Sequence, residues 1–139
     1  MVFILRVKVI MMNKIDYETR TGKEWLRDDG ISHYVYHSGV KITLEDAKEI
    51  GAKHLEAASG IRYPILVDMK NILGLDNDAR KYFSANDFYL AVAMLIESPV
   101  SRVIANFFIG ISKPPAPIKM FTSKEKAIEW LKRLINEAK

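Results

Sequence analysis

The residues with the densest chemical potential are Asp68 and the run Asp76-Asn77-Asp78, close behind the apolar segment Pro64-Ile65-Leu66-Val67. Two carboxylates at the end of a buried strand and the start of a helix would occupy the crevice where α/β sheets bind ligands, and could share acid–base work. Such work also needs a nucleophile, an oxyanion hole or a glycine-rich phosphate loop. The chain carries no G-x-S-x-G, P-loop or H-E-x-x-H motif. Asp68 is therefore expected to bond loop amides between Met69 and Leu75. Asp76, Asn77 and Asp78 suit the N-terminus of a helix, where such side chains cap free N–H groups and complement the macrodipole. His33 and His37 sit four residues apart on one strand, about 13 Å by strand rise, too far to chelate one ion. His54 belongs to another element. No catalytic residue, metal ligand or cofactor is expected, and the chain reads as a non-enzyme.

The elements that position these residues follow from periodicity and punctuation. Ile15 to Arg27 reads as strand plus turn, Asp28-Asp29-Gly30 as a tight turn, and Ile31 to His37 as a strand. Thr43 caps a helix whose apolar face is traced by Leu44, Ala47, Ile50, Leu55 and Ala58, and Ser59-Gly60 ends it. Ile65-Leu66-Val67 is apolar on both sides, as in the centre of a parallel sheet. A helix from Asp76 carries Ala79, Tyr82 and Phe83 and stops near Ala85-Asn86. Phe88 to Ile96 reads as a strand, because Ser98-Pro99 follows at once as N-cap and first helical residue. The next helix presents Val100, Val103, Ile104, Phe107, Phe108 and Ile111 as one stripe. Lys113 to Pro117 is a stiff connection. Ile118 to Phe121 is a strand. Thr122-Ser123-Lys124-Glu125 forms a capping box before a helix burying Ala127, Ile128, Leu131, Leu134 and Ile135. Strands alternating with helices mean a largely parallel sheet with helical crossovers, made mixed by the hairpin at its front.

A length of 139 residues favours one domain, residues 1–139. Hydrophobic residues make up 49% and charged residues 27%, which suits a packed core. The absence of cysteine removes disulfides and thiolate metal sites. From Lys113 onward seven Lys and Arg face three acids, which accounts for the whole net charge of +4. With no alternating pattern of aromatic and basic residues, this reads as a solvated helix face, and no nucleic-acid partner is expected. The opening Met1 to Met12 is apolar but short and interrupted by Arg6 and Lys8, so no transmembrane segment is expected there. Two readings of residues 1–11 stay open: an extra N-terminal strand, or an artefactual extension upstream of a start at Met11 or Met12. In either case they are expected to add little to the core.

Several segments resemble SpoIIAA-like and STAS domains. Pro64 to Arg80 is similar to their core signature, in which an aspartate and two serines open a helix after a buried strand. Asp29-Gly30-Ile31 followed by Ile42-Thr43-Leu44-Glu45-Asp46-Ala47 resembles their opening, and Phe121 to Leu131 their ending. Ser98 to Gly110, with Lys113-Pro114 and Pro117, is similar to an uncharacterised bacterial branch of that fold. The resemblance covers nearly all of the chain after about residue 24. It implies an α/β fold of SpoIIAA-like (STAS-type) architecture, a mixed β-sheet with four main helices, in a bacterial cytoplasmic protein. It further implies a regulatory module docking a protein partner through Lys70, Asn71, Asp76, Asn77 and Asp78. The second serine, which takes the phosphoryl group in regulated members, is replaced here by Asp78. A carboxylate carries less charge and fewer acceptor oxygens than a phosphate, so any mimicry is partial. The alternative is a carrier of a small apolar or lipid-like ligand, using the helix 99–111 and its Phe107, Phe108, Ile109 and Ile111. The fold also resembles CRAL-TRIO lipid-transfer domains in part. The same apolar excess would equally serve a homodimer interface.

Overall fold

The computed structural model describes residues 15–109 and 115–137. Residues 1–11, with their open readings, lie outside that range, as does Ile111. In chain order the elements are β1 (Asp16–Glu18), β2 (Gly22–Leu26), β3 (Ser32–Tyr36), β4 (Lys41–Ile42), α1 (Leu44–Ala58) and β5 (Ile65–Asp68). There follow β6 (Gly74–Leu75), α2 (Asn77–Ala85), β7 (Val92–Leu95), α3 (Pro99–Ile109), β8 (Ile118–Phe121) and α4 (Lys124–Glu137). Six strands form one sheet in the order β1-β2-β3-β5-β7-β8. The first three are antiparallel and the rest parallel, and β4 and β6 pair as a separate parallel ribbon.

This strand order decides where the helices go. From β3 onward each new parallel strand is added on the same side of the last. Right-handed crossovers that always advance in one direction must all lie on one face. Thus α1, α2 and α3 pack on the face carrying Val67, Val92, Met94, Ile118 and Met120. The opposite face, with Leu66, Ala93, Leu95 and Phe121, is covered by α4 through Ala127 and Leu131. The alternation of inward residues along β5 and β7 is the two-residue period of a sheet covered on both sides.

Local chemistry sets the helix ends. Thr43 and Asp46 form a reciprocal capping box at α1, and Ser59 closes it in the left-handed region at φ 49°. Arg20 clamps Asp46, which with Thr43 holds that carboxyl down at about 2. Ser98 caps α3 by accepting the Ser101 N–H at 3.1 Å. At α4 the cap is Ser123, which accepts the Lys126 N–H, one residue later than the Thr122 capping box expected from sequence.

Two apolar faces also differ from expectation. On α1 the buried stripe is Ala47, Ile50, Gly51, His54 and Ala58, while Leu55 is 53% exposed. Leu55 lies one position off the 3.6-residue stripe, and His54 occupies the inward place. On α3 the inward residues are Ser101, Ile104 and Ala105, whereas Val100, Val103, Phe107 and Ile109 are exposed. The small Ser101 and Ala105 let the helix backbone approach the sheet, so they select the inward face over the bulkier stripe. Gly51 plays the same part between helices: a Cβ there would clash with the Tyr82 hydroxyl.

The polar centre of the helix-rich face is Glu24, on β2 opposite Tyr34 and next to Tyr17 across the β1–β2 pair. Glu24 and His54 have no exposed side-chain surface. The Glu24 carboxylate accepts hydrogen bonds from the Tyr17 and Ser32 hydroxyls, and His54 Nδ1 lies 2.8 Å from it. Beside it the Tyr34 hydroxyl is bonded to Thr19 at 2.6 Å and Thr21 at 3.0 Å. Removing one hydrogen-bond partner from a buried polar cluster leaves the other unsatisfied, at a cost of about 1–3 kcal/mol. His54→Phe is therefore expected to lower unfolding free energy by about that much in urea titrations. Glu24→Leu added to His54→Phe should recover part of the loss. A single-variant loss below about 1 kcal/mol would mean that the pair does not hold α1 to the sheet.

Candidate functional site

Beneath α1, α2 and α3 the helix-rich face leaves a cavity of about 110 Å³. Its floor is Tyr34, Tyr36, Ile65, Val67, Val92 and Met94 from three adjacent strands; Ile50, Phe83, Ile104 and Phe108 close it from the helices. Among the described residues that line it, only Asp87 and Pro115 are well exposed, so the cavity comes nearest the surface there. Asp87 is held there by Arg62 at 2.6 Å. The volume approaches the roughly 150 Å³ of an apolar cavity that accepts benzene.

The lining is apolar apart from a few groups. Tyr36 and Tyr89 line it, and among the described residues neither hydroxyl has a hydrogen-bond partner. Burial, reinforced by neighbouring phenols and the Glu24 carboxylate, pushes both phenols well up, so they remain protonated. Tyr89 stacks against His54 with ring centroids 4.7 Å apart, which places the Glu24 cluster behind the cavity wall.

The residues singled out from sequence fall into two places. Lys70 pairs with Asp68 at 3.6 Å, and its N–H is accepted by Asp68 Oδ1, the loop-bonding role expected for that aspartate. Asn71, Asp76, Asn77 and Asp78 are all exposed. Asp76 is the N-cap of α2 by backbone geometry, yet its side chain makes no capping bond. Arg80 donates to Asn77 and lies over the Phe107 ring at 4.3 Å, so the start of α2 and the outer face of α3 adjoin. Phe107 and Ile109 are on that outer face, while Phe108 lines the cavity. The expected single apolar surface of Phe107, Phe108 and Ile109 is thus divided between outside and inside, because consecutive helical residues point about 100° apart.

Sequence reasoning missed Glu24, His54, Tyr36 and Tyr89. The signals were present: His54 falls on the 3.6-residue stripe of α1, and Ser32-x-Tyr34-x-Tyr36 alternates toward one face. Among the described residues no group of three or more His, Cys, Asp or Glu could hold a metal ion. Nor is any helix among them long and apolar enough to cross a membrane.

Residues 24–135 match a family described as a domain of unknown function, DUF7793, and the chain belongs to that family. An uncharacterised protein of the DUF3478 family with a SpoIIAA-like fold, from Shewanella loihica PV-4, is similar over 85% of this chain and 91% of its own. The two share 22% identity at a TM-score of 0.54, a likeness of fold. The SpoIIAA-like mixed sheet with four helices, implied by the sequence, is thus the architecture of this chain. A protein of unknown function from Arthrobacter sp. FB24 shares 34% identity, covering 83% of this chain and 95% of that one, at a TM-score of 0.33. No curated protein matches the chain.

His33 lies apart from the cavity, on the α4 face beside Trp25, with both ring nitrogens unpartnered among the described residues. Burial, aided by the positive charge of Lys124, pushes it from 6.5 down to about 4. The native ring stays neutral while the unfolded chain takes up a proton below about pH 6.5. Stability is expected to fall as pH drops from about 6.5 to 4, by roughly 2 kcal/mol from this group. Denaturant titrations of the wild type and His33→Phe across that range check it: the difference between them should shrink toward neutral pH, and parallel curves would exclude His33 as the source.

Proposed function

We propose that the chain is a non-catalytic binding module whose cavity takes a small, predominantly apolar ligand. The observation that carries this reading is the cavity itself. Protein interiors are close-packed, and a void of this size forgoes dispersion contacts and stability. An apolar space that comes nearest the surface at Asp87 and Pro115 suits a ligand of about one ring or a short acyl segment. The polar groups nearest to it support binding rather than turnover. The phenols are held protonated, and Glu24 is bound by three partners behind the wall, with none of them arranged around a nucleophile.

A ligand that binds only the folded state raises the thermal midpoint. Benzene at about ten times its dissociation constant is expected to raise it by about 5 °C in a chain of this size. Val92→Phe, which fills the floor of the cavity, should abolish that shift. A midpoint that stays constant up to the solubility limit of benzene would sink the reading.

A second reading has its own support. The outer stripe Val100, Val103, Phe107 and Ile109 is exposed, and the neighbouring Leu73 is 57% exposed beside Asp76, Asn77 and Asp78. Together they offer an apolar centre with a polar rim of both charge signs, the pattern of a protein-docking face. A second copy of this chain is the simplest occupant. Light scattering is expected to give the mass of a dimer that Val103→Asp converts to a monomer. A wild-type monomer at micromolar concentration would exclude self-association.

A further inference from the structure

We propose that the cavity is built for an uncharged ligand, an apolar ring or short chain bearing one carbonyl- or ether-type oxygen, and that the hydroxyls of Tyr36 and Tyr89 bind that oxygen. This rests on the cavity being a ligand site and extends it from shape to chemistry. Tyr36 ends β3 and Tyr89 shortly precedes β7, the second strand over, and both side chains line the cavity. Each lies deep in the protein yet keeps accessible surface, as a side chain does when it faces an internal space. The neighbouring phenols are engaged, Tyr17 by Glu24 and Tyr34 by Thr19 and Thr21. Tyr36 and Tyr89 have no such partner among the described residues. A hydroxyl that faces a largely apolar space without an acceptor is costly, and an acceptor entering with the ligand removes that cost. Because burial keeps both phenols protonated, each is a donor at neutral pH.

Charge separates the ligand classes. Among the described residues no Lys, Arg or His lines the cavity, and the one acid among them that does, Asp87, is exposed and paired with Arg62. A carboxylate or phosphate head would lose its hydration with no cation to meet it, close to the buried Glu24. An ammonium would find aromatic faces but would leave two O–H donors without an acceptor. A pure hydrocarbon would leave them so as well. A neutral oxygen is the one head group that matches both donors.

The test uses the full chain and four probes of one shape: cyclopentane, cyclopentanone, cyclopentanecarboxylate and cyclopentylammonium, with affinities from NMR titration. Cyclopentanone is expected to bind at least about tenfold tighter than either ion. Tyr36→Phe and Tyr89→Phe should each weaken cyclopentanone by about fivefold, one hydrogen bond's worth, and leave cyclopentane unchanged. Cyclopentanone binding that neither variant weakens would overturn the proposal, as would an ion bound as tightly as the ketone or cyclopentane bound alone. In all three cases the cavity would still stand as a ligand site. If none of the four binds, both the cavity reading and this refinement fall.

Discussion

Glu24 is a carboxylate with no exposed surface, and much of the architecture is arranged to keep it there. A buried acid is tolerated only when donors replace its hydration shell. Here the donors come from three directions: Tyr17 on β1, Ser32 on β3 and His54 on α1. One side chain therefore fixes the pairing of the front hairpin and the seating of the first helix on the sheet. It also explains why α1 turns His54 inward and leaves Leu55 in solvent. Burying Leu55 would gain apolar contact, but rotating the helix to do so would remove a donor from Glu24.

That same constraint shapes the cavity. The Glu24 cluster occupies the β1–β3 end of the helix-rich face, and α1 must stay over it. The remaining strands, β5 and β7, fall to α2 and α3. The first of these has only nine residues, and the second approaches by Ser101 and Ala105. Short and small contacts leave space over Val67, Val92 and Met94, and the phenols of Tyr36 and Tyr89 stand at its edge. The polar cluster and the apolar space are two sides of one wall, joined by the contact between His54 and Tyr89. The opposite face has no such tension. One amphipathic helix, α4, fills it with Ala127 and Leu131 and keeps Lys124, Lys126, Lys132 and Arg133 in solvent.

Much of this was legible from local signals. Thr43 and Ser98 cap the helices where their side chains can reach free N–H groups. Gly30 turns between β2 and β3 at φ 83°, a conformation open to glycine. Ile65-Leu66-Val67 is covered on both faces because no residue in it is polar. The errors share a cause. Leu55, the α3 stripe and the cap at Ser123 were each misplaced by about one residue, within the reach of a period-3.6 pattern that several apolar residues satisfy. At α3 both faces are apolar, so hydropathy cannot choose between Val103 and Ile104. The small residues that let the helix approach the sheet make that choice, and they carry little weight in a hydropathy pattern.

The sequence by itself determined the order of the main strands and helices, and hence a largely parallel sheet with helical crossovers, because periodicity and caps act over short spans of chain; the β4–β6 ribbon and the gathering of three crossovers on one face follow from the spatial strand order. It also placed Asp76, Asn77 and Asp78 at an exposed helix start. Only the tertiary structure decided the site. Glu24 and His54 lie thirty residues apart, and Tyr36 and Tyr89 lie on non-adjacent segments of chain. Each alone reads as an ordinary strand or helix residue. Their meaning comes from burial and proximity, which depend on how every other element packs.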